Sequence, residues 1–309
     1  MTLEPGLHLD VPAADYHADP CATPSLSSSI AKVILAQTPK HAWMKHPRLN
    51  PKFTPEADDK FTMGSIVHEL MLGRGAGIEV IDFDDFKTKA ARSIRDDARA
   101  AGLTPILLHQ YKEACAIAAS ALTILAKIRH AENFFSSKAV SESVAVWMDI
   151  GGPLCRAMLD RFSPEDGGTI WDIKTTGAGL SDAALARSIT NNGYDLSAAF
   201  YTRGARAIGI ANANFRWVFV ETTEPFEVRV VMGDPTTLAL GDRKAATAIE
   251  IWRRCLEAND WPGYPRRIER VEYPPWAEAQ WLERELTDPD YVRAVLSNTV
   301  QGAKNDHRI

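Results

Sequence analysis

Cysteine is scarce. Cys21, Cys115, Cys155 and Cys255 are the only four, they are widely scattered, and no CxxC pair occurs. That spacing argues against zinc fingers and zinc ribbons, and for reduced thiols in or near a core. Long apolar runs are also missing. No stretch reaches the ~18–20 residues that a membrane helix needs, so no membrane span is expected. The first residues, MTLEPGLHLDVPAADYHADP, lack the basic start and apolar stretch of a signal peptide, and the chain reads as cytoplasmic. There is no excess of positive charge either: the formal net charge is −5. A protein that coats DNA passively is thereby disfavoured. An enzyme that gathers its basic groups in one groove, with metal ions offsetting charge at the site, is not. Walker, GxSxG and Rossmann fingerprints are absent, so ATPase, esterase and dehydrogenase readings lack support.

What is present is ample material for a core: 309 residues, 45% hydrophobic and 24% charged. The first part, residues 1–57, reads as an N-terminal segment whose serines, Ser25 to Ser29, cap a short helix carrying Ile30, Val33 and Ile34, which Pro39 ends. A helix is expected over Asp58–Leu72, stopped by Gly73, and a long one over Ile106–His130. The period then changes to two. Val140–Met148, Leu154–Phe162 and Thr169–Thr175 read as three strands joined by the turns Gly151-Gly152-Pro153 and Ser163–Gly168. Helices follow at Ser181–Asn191 and Asp195–Ile208, strands at Phe215–Glu221 and Phe226–Met232, and a helix at Thr236–Glu257. Beyond residue 260 the chain reads as a Pro- and aromatic-rich tail, 261–309, with one short helix near Trp276–Leu286. The order implies an α/β protein whose mixed sheet is flanked by helices, with its core over residues 58–260.

Chemistry concentrates on the third strand. Side chains alternate between the faces of a strand, so Ile170, Asp172 and Lys174 point one way and Trp171, Ile173 and Thr175 the other. Asp160, near the end of the preceding strand, comes close to Asp172 if the two strands pair. Two converging carboxylates suit a hard divalent cation that keeps waters for a phosphate. An amine beside them can orient a hydroxide and neutralise charge in a phosphoryl-transfer transition state. Taken alone, Asp-x-Lys on a strand also describes an ordinary ion pair. Likewise His68, one turn after Gly64 on its helix, taken alone also describes a packed or surface histidine.

The combination is more specific. Gly64-Ser65-x-x-His68-Glu-Leu, Cys155-Arg156-Ala157-x-x-Asp160-Arg161, Asp172-Ile-Lys174-Thr175-Thr176 and the helix Asp195-Leu-Ser197-Ala-Ala-Phe-Tyr201 resemble, in this order, the exonuclease VIII (RecE) nuclease domain of the PD-(D/E)xK superfamily. More distantly they resemble the nuclease domains of RecB and phage lambda exonuclease. The likeness runs from Tyr16 to Met232. It implies a restriction-endonuclease-like core with a metal held by His68, Asp160, Asp172 and the backbone carbonyl of Ile173. Lys174 would be the catalytic lysine, and Tyr201 would contact substrate or that lysine. Glu142 falls where relatives often carry an acid. The family's glutamine falls on Ser197, whose shorter side chain cannot reach as far. The metal implied is Mg²⁺, with Mn²⁺ able to substitute because a histidine is among the ligands. The substrate implied is a double-stranded DNA end degraded from its 5′ strand, serving recombination or repair with a single-strand annealing protein. The implied assembly is a ring-shaped homo-oligomer. Two alternatives stay open: a RecB-like nuclease on single-stranded or branched DNA, and a non-catalytic DNA-binding protein on the same fold. The four cysteines do not follow the iron–sulfur spacing of some RecB relatives, so no cluster is expected.

Overall fold

The computed structural model describes residues 2–54, 63–165, 167–290 and 293. The chain opens with β1 (Gly6–His8), α1 (Ala13–His17), β2 (Leu26–Ser27), α2 (Ser28–Ala36) and α3 (Pro39–Lys45). It continues with α4 (Met63–Leu72), β3 (Ile78–Ile81), α5 (Lys89–Ala100), β4 (Thr104–Leu107) and α6 (Leu108–Leu125). Then come β5 (Val140–Met148), β6 (Leu154–Ser163), β7 (Thr169–Thr176), α7 (Asp182–Asn191) and α8 (Tyr194–Ala207). Last are β8 (Asn214–Glu221), β9 (Val228–Val231), α9 (Pro235–Ala258) and α10 (Pro275–Thr287). Residues 1–263 form one compact unit and residues 264–309 another.

The three expected strands form an antiparallel meander, β5-β6-β7, within a seven-stranded sheet ordered β1-β5-β6-β7-β8-β9, with β2 added beside β6. β7 and β8 run parallel, joined through α7 and α8, so the sheet is mixed. One face carries a core built from Trp147, Leu159, Ile170, Phe200, Trp217 and Trp252, covered by α2, α8 and α9. The other carries Ile66, Val67, Ile117, Trp171, Ile173 and Val218 under α4 and α6. Four fully buried tryptophans, Trp147, Trp171, Trp217 and Trp252, anchor the two layers, each removing about 150–250 Å² from water.

The N-terminal segment is woven into this sheet: β1 pairs with β5 and β2 with β6. Its anchor is Arg156 on β6. The buried guanidinium meets Asp19 Oδ1 at 3.0 Å and donates to the Ser25 carbonyl and hydroxyl, both at 2.7 Å. Asp19 in turn accepts from the Ser25 N–H and hydroxyl. An isolated buried charge would be costly; one satisfied from all sides fixes a geometry. Ser27 then caps α2 by accepting from the Ile30 N–H.

Several boundaries differ from expectation. Pro39 does not end α2, which stops at Ala36; it is the first residue of α3, where its missing N–H costs nothing. The long helix begins at Leu108 rather than Ile106, because Thr104–Leu107 pairs in parallel with β3. It ends at Leu125. The residues expected to open α4, 58–62, lie outside the described ones. No described helix is long and apolar enough to cross a membrane. All four cysteines are free thiols.

Candidate active site

The side chains of β5 and β6 exchange faces where the chemistry sits. Along β5 and β6 the pairs keep one register, yet the ladder skips Glu142 and Asp160, which face each other in it. On one side of that point Trp147, Ala157 and Leu159 belong to the α8-side core; on the other, Val140 and Phe162 do. The alternation of faces therefore inverts. Glu142, with φ of 51°, is the residue that makes the inversion on β5. A left-handed conformation at a non-glycine residue inside a strand is rare and costs of order 1–3 kcal/mol.

The β6–β7 ladder stops at the same level. It runs from Ser163↔Thr169 to Arg161↔Trp171 and then ends. The next N–H of β7, that of Ile173, donates instead to Asp160 Oδ2 at 2.8 Å. The strands thus splay, and the Asp160 carboxylate fills the opening. Asp160 Oδ2 also meets His68 Nε2 at 3.1 Å. α4 can bring His68 this near because Gly64 lies flat on β7: a Cβ there would collide with the Thr175 hydroxyl.

Asp172 is buried, and its Oδ2 lies 2.6 Å from Lys174 Nζ. The same ammonium donates to the Ile173 carbonyl at 3.3 Å. Asp172 Oδ2 is fully enclosed but accepts no well-aligned hydrogen bond, so the contact with Lys174 is ionic rather than directed. Burial pushes the Asp172 carboxyl above its usual range, and Lys174 offsets only part of that. Asp160 is the reverse: burial raises it, but His68 and Lys174 outweigh burial and hold it low. Burial alone would lower the His68 imidazole, yet the Asp160 carboxylate raises it above the usual value. The two acids drive the Lys174 ammonium upward against burial, so it stays charged.

His68, Ile173 and Lys174 border a cavity of about 440 Å³ that Glu69, Glu142 and Tyr194 also line, among others. The donor types fit a divalent cation: two carboxylates, a backbone carbonyl and an imidazole, with one carboxylate oxygen enclosed and poorly satisfied. They are not gathered into a cage. Among the described residues no three His, Cys, Asp or Glu side chains are grouped for a metal; they stand as two pairs, His68–Asp160 and Lys174–Asp172.

Tyr201 lies on α8, with its hydroxyl accepting from Ser28 at 3.3 Å and its ring near Phe215. Burial pushes its phenol well above the usual value, and Asp172 and Asp160 add to this. Ser197 is buried on α8, and Glu142 is half-buried at the cavity wall. Two residues at the site escape a reading of the sequence. Tyr194 begins α8, and Lys174 Nζ lies 5.3 Å from its ring centroid. Lys32 on α2 lies 5.3 Å from the same ring. The only local signal for either is the glycine before Tyr194, which turns the chain at φ of 60°.

Comparison with known proteins agrees with the fold. No curated protein matches the chain. A provisionally assigned exonuclease from Eubacterium rectale, known from a crystal structure, is 14% identical; the match covers 91% of this chain and 99% of that one, with a TM-score of 0.54. At that identity the likeness concerns the fold: a restriction-endonuclease-like α/β core with a mixed sheet flanked by helices. A family model described as a PDDEXK-like domain of unknown function (DUF3799) matches residues 27–274, which include Asp160, Asp172 and Lys174. With most of its length matched, the chain belongs to this PDDEXK-like family within the PD-(D/E)xK nuclease superfamily.

Proposed function

We propose that the chain is a metal-dependent deoxyribonuclease that degrades double-stranded DNA from an end, acting on the 5′ strand. The observation that carries this is the splay of β6 from β7. It leaves Asp160 and Asp172 side by side on adjacent strands, with the Lys174 ammonium against one and the His68 imidazole against the other. PDDEXK nucleases generally use divalent metals. When bound, Mg²⁺ or Mn²⁺ supplies Lewis-acid polarisation of a phosphoryl oxygen and lowers the pKa of a coordinated water. Asp160, Asp172, the Ile173 carbonyl and His68 would hold it.

The chain's own residues do the rest. Lys174 must leave Asp172 for the carboxylate to accept a cation. Its ammonium, charged across the physiological range, then faces the reacting phosphate, where it neutralises charge that builds in the transition state. The Asp160 carboxylate, kept ionised by His68 and by the Ile173 N–H, is ready as a ligand without giving up a proton. Tyr201 on α8 would contact substrate or Lys174, and Ser197 on α8 and Glu142 on β5 are further candidates around this centre. By family likeness the protein would work as a ring of subunits on a duplex and hand a single strand to an annealing protein.

Digestion of linear and circular duplex DNA, with magnesium and with chelator, tests the reading. Linear DNA should disappear and circles persist, and both chelator and Asp172→Ala should reduce cleavage to background. Cutting of circles would make the protein an endonuclease. End-labelled duplexes read the polarity, and binding without cleavage under every metal condition would overturn the enzyme.

A further inference from the structure

Lys32 lies in the middle of α2, half-buried, with its stem against Gly193 and its ammonium near the Tyr194 ring. Lys174 approaches that ring to the same distance. One aromatic ring at the cavity wall thus carries two cations. A cation–π contact at this range is worth about 0.5–1 kcal/mol, too little to offset both the partial desolvation of the Lys32 ammonium and the repulsion of a second ammonium. The neighbouring acids are engaged elsewhere: Asp172 with Lys174, and Asp195 with Lys244 at 2.6 Å. Among the described residues no carboxylate pairs with Lys32. The arrangement is short of one anion.

We propose that Lys32 is a substrate-contacting residue that holds a backbone phosphate of the bound nucleic acid, beside the same Tyr194 ring that Lys174 approaches. This rests on the nuclease reading above and deepens it. The reacting phosphodiester lies at Lys174, and a neighbouring phosphate of the same strand at Lys32. Strand position is then set by α2, which the Ser27 cap and the buried Arg156–Asp19 pair hold rigidly to the sheet. The charge state of Lys32 is consistent with a missing counter-ion. Burial and then the Lys174 charge pull its pKa down to about 8, against the opposing pull of Asp172 and Asp195. An arriving phosphate should return that proton.

The test is binding of a short labelled duplex to the full chain in chelator, where no cleavage intervenes, as a function of salt. Lys32→Met should weaken binding about tenfold and lower the slope of log Kd against log salt by about one, and Lys32→Arg should restore both. With magnesium, the loss should fall on KM more than on kcat. Calorimetry near pH 8 in buffers of different ionisation heat should show proton uptake on binding by the wild type. If Lys32→Met fails to fold, Lys32→Gln and the wild-type proton uptake give the same reading. A wild-type salt slope in the Met or Gln variant, or no proton uptake, overturns the assignment and leaves the nuclease standing. A wild type that neither binds nor cuts DNA removes the nuclease reading, and this one with it.

Discussion

His68 and Asp160 each hold the other's charge, and the pH window of that pair follows from the directions of their shifts. The His68 imidazole is raised above its ordinary value, so its contribution to stability is complete below the unfolded value of about 6.5 and is lost as pH rises through the folded value. Asp160 is depressed, so its contribution is present above about 3.9 and is lost as pH falls through the folded value. The pair therefore stabilises the metal-free fold most between the carboxylate range and neutrality. In chelator, His68→Ala should lower stability by about 1–2 kcal/mol near pH 6, and by less above pH 8. Urea denaturation of wild type and variant at several pH values measures this, and a difference that grows with pH would contradict the pairing. Metal loading runs the opposite way. The imidazole must lose its proton to bind a cation, so apparent affinity, read by titration calorimetry, should rise from pH 6 to pH 8.

α4 serves the site through its distance from β7, and that distance depends on Gly64 facing Thr175. Gly64→Ala should force the helix outward or the threonine aside, costing about 1–3 kcal/mol as overpacking and shifting His68 from Asp160. Thr175→Ala in the same chain removes the colliding hydroxyl, leaving ordinary van der Waals spacing. Thermal melts and cleavage rates of the two single variants and the double should therefore show a coupling of about 0.5–3 kcal/mol, with the double recovering most of the lost rate; purely additive losses would count against this packing. Such relations mark the limit of what could be read from the sequence. The meander β5-β6-β7 was legible because alternation holds over most of each strand, and Asp160, Asp172 and Lys174 were legible because they sit on it. α5 was not, since its inward face is narrow and made of small residues, with Ala91 and Ala98 its only buried ones. The three-residue β1 and two-residue β2 are too short for any period to register. The face inversion at Glu142 contradicts strict alternation, which is the very rule used to read the strands. Lys32 and Tyr194 belong to helices whose meeting with β7 is purely tertiary.

For the molecule as a whole, the acidic balance and the division into two units set the expectations. The first unit closes on its own core: Trp261 packs against Trp252 at 5.1 Å between ring centroids, and the Pro262 carbonyl accepts from the Lys40 N–H. In the second unit α10 has no buried residue, and Trp276 and Leu286 are 70% and 81% exposed. A helix with no buried residue adds little to cooperative unfolding. Truncation after Gly263 should therefore leave the melting temperature within about 2 °C of the full chain, less than the effect of 1 kcal/mol in a domain this size. Truncation after Ala258 also removes Trp261, a loss of about 3–5 kcal/mol by analogy with Trp→Ala substitutions, and should lower the melting temperature by roughly 6 °C or more. The family match runs on to residue 274, past the end of the first unit, so the shorter chain also asks what the exposed apolar residues of 264–290 are for. If they join subunits, the chain ending at Gly263 should elute as a monomer in gel filtration and keep metal-dependent cleavage while losing processivity on long duplexes. An oligomer that survives the cut would place its contacts within residues 1–263.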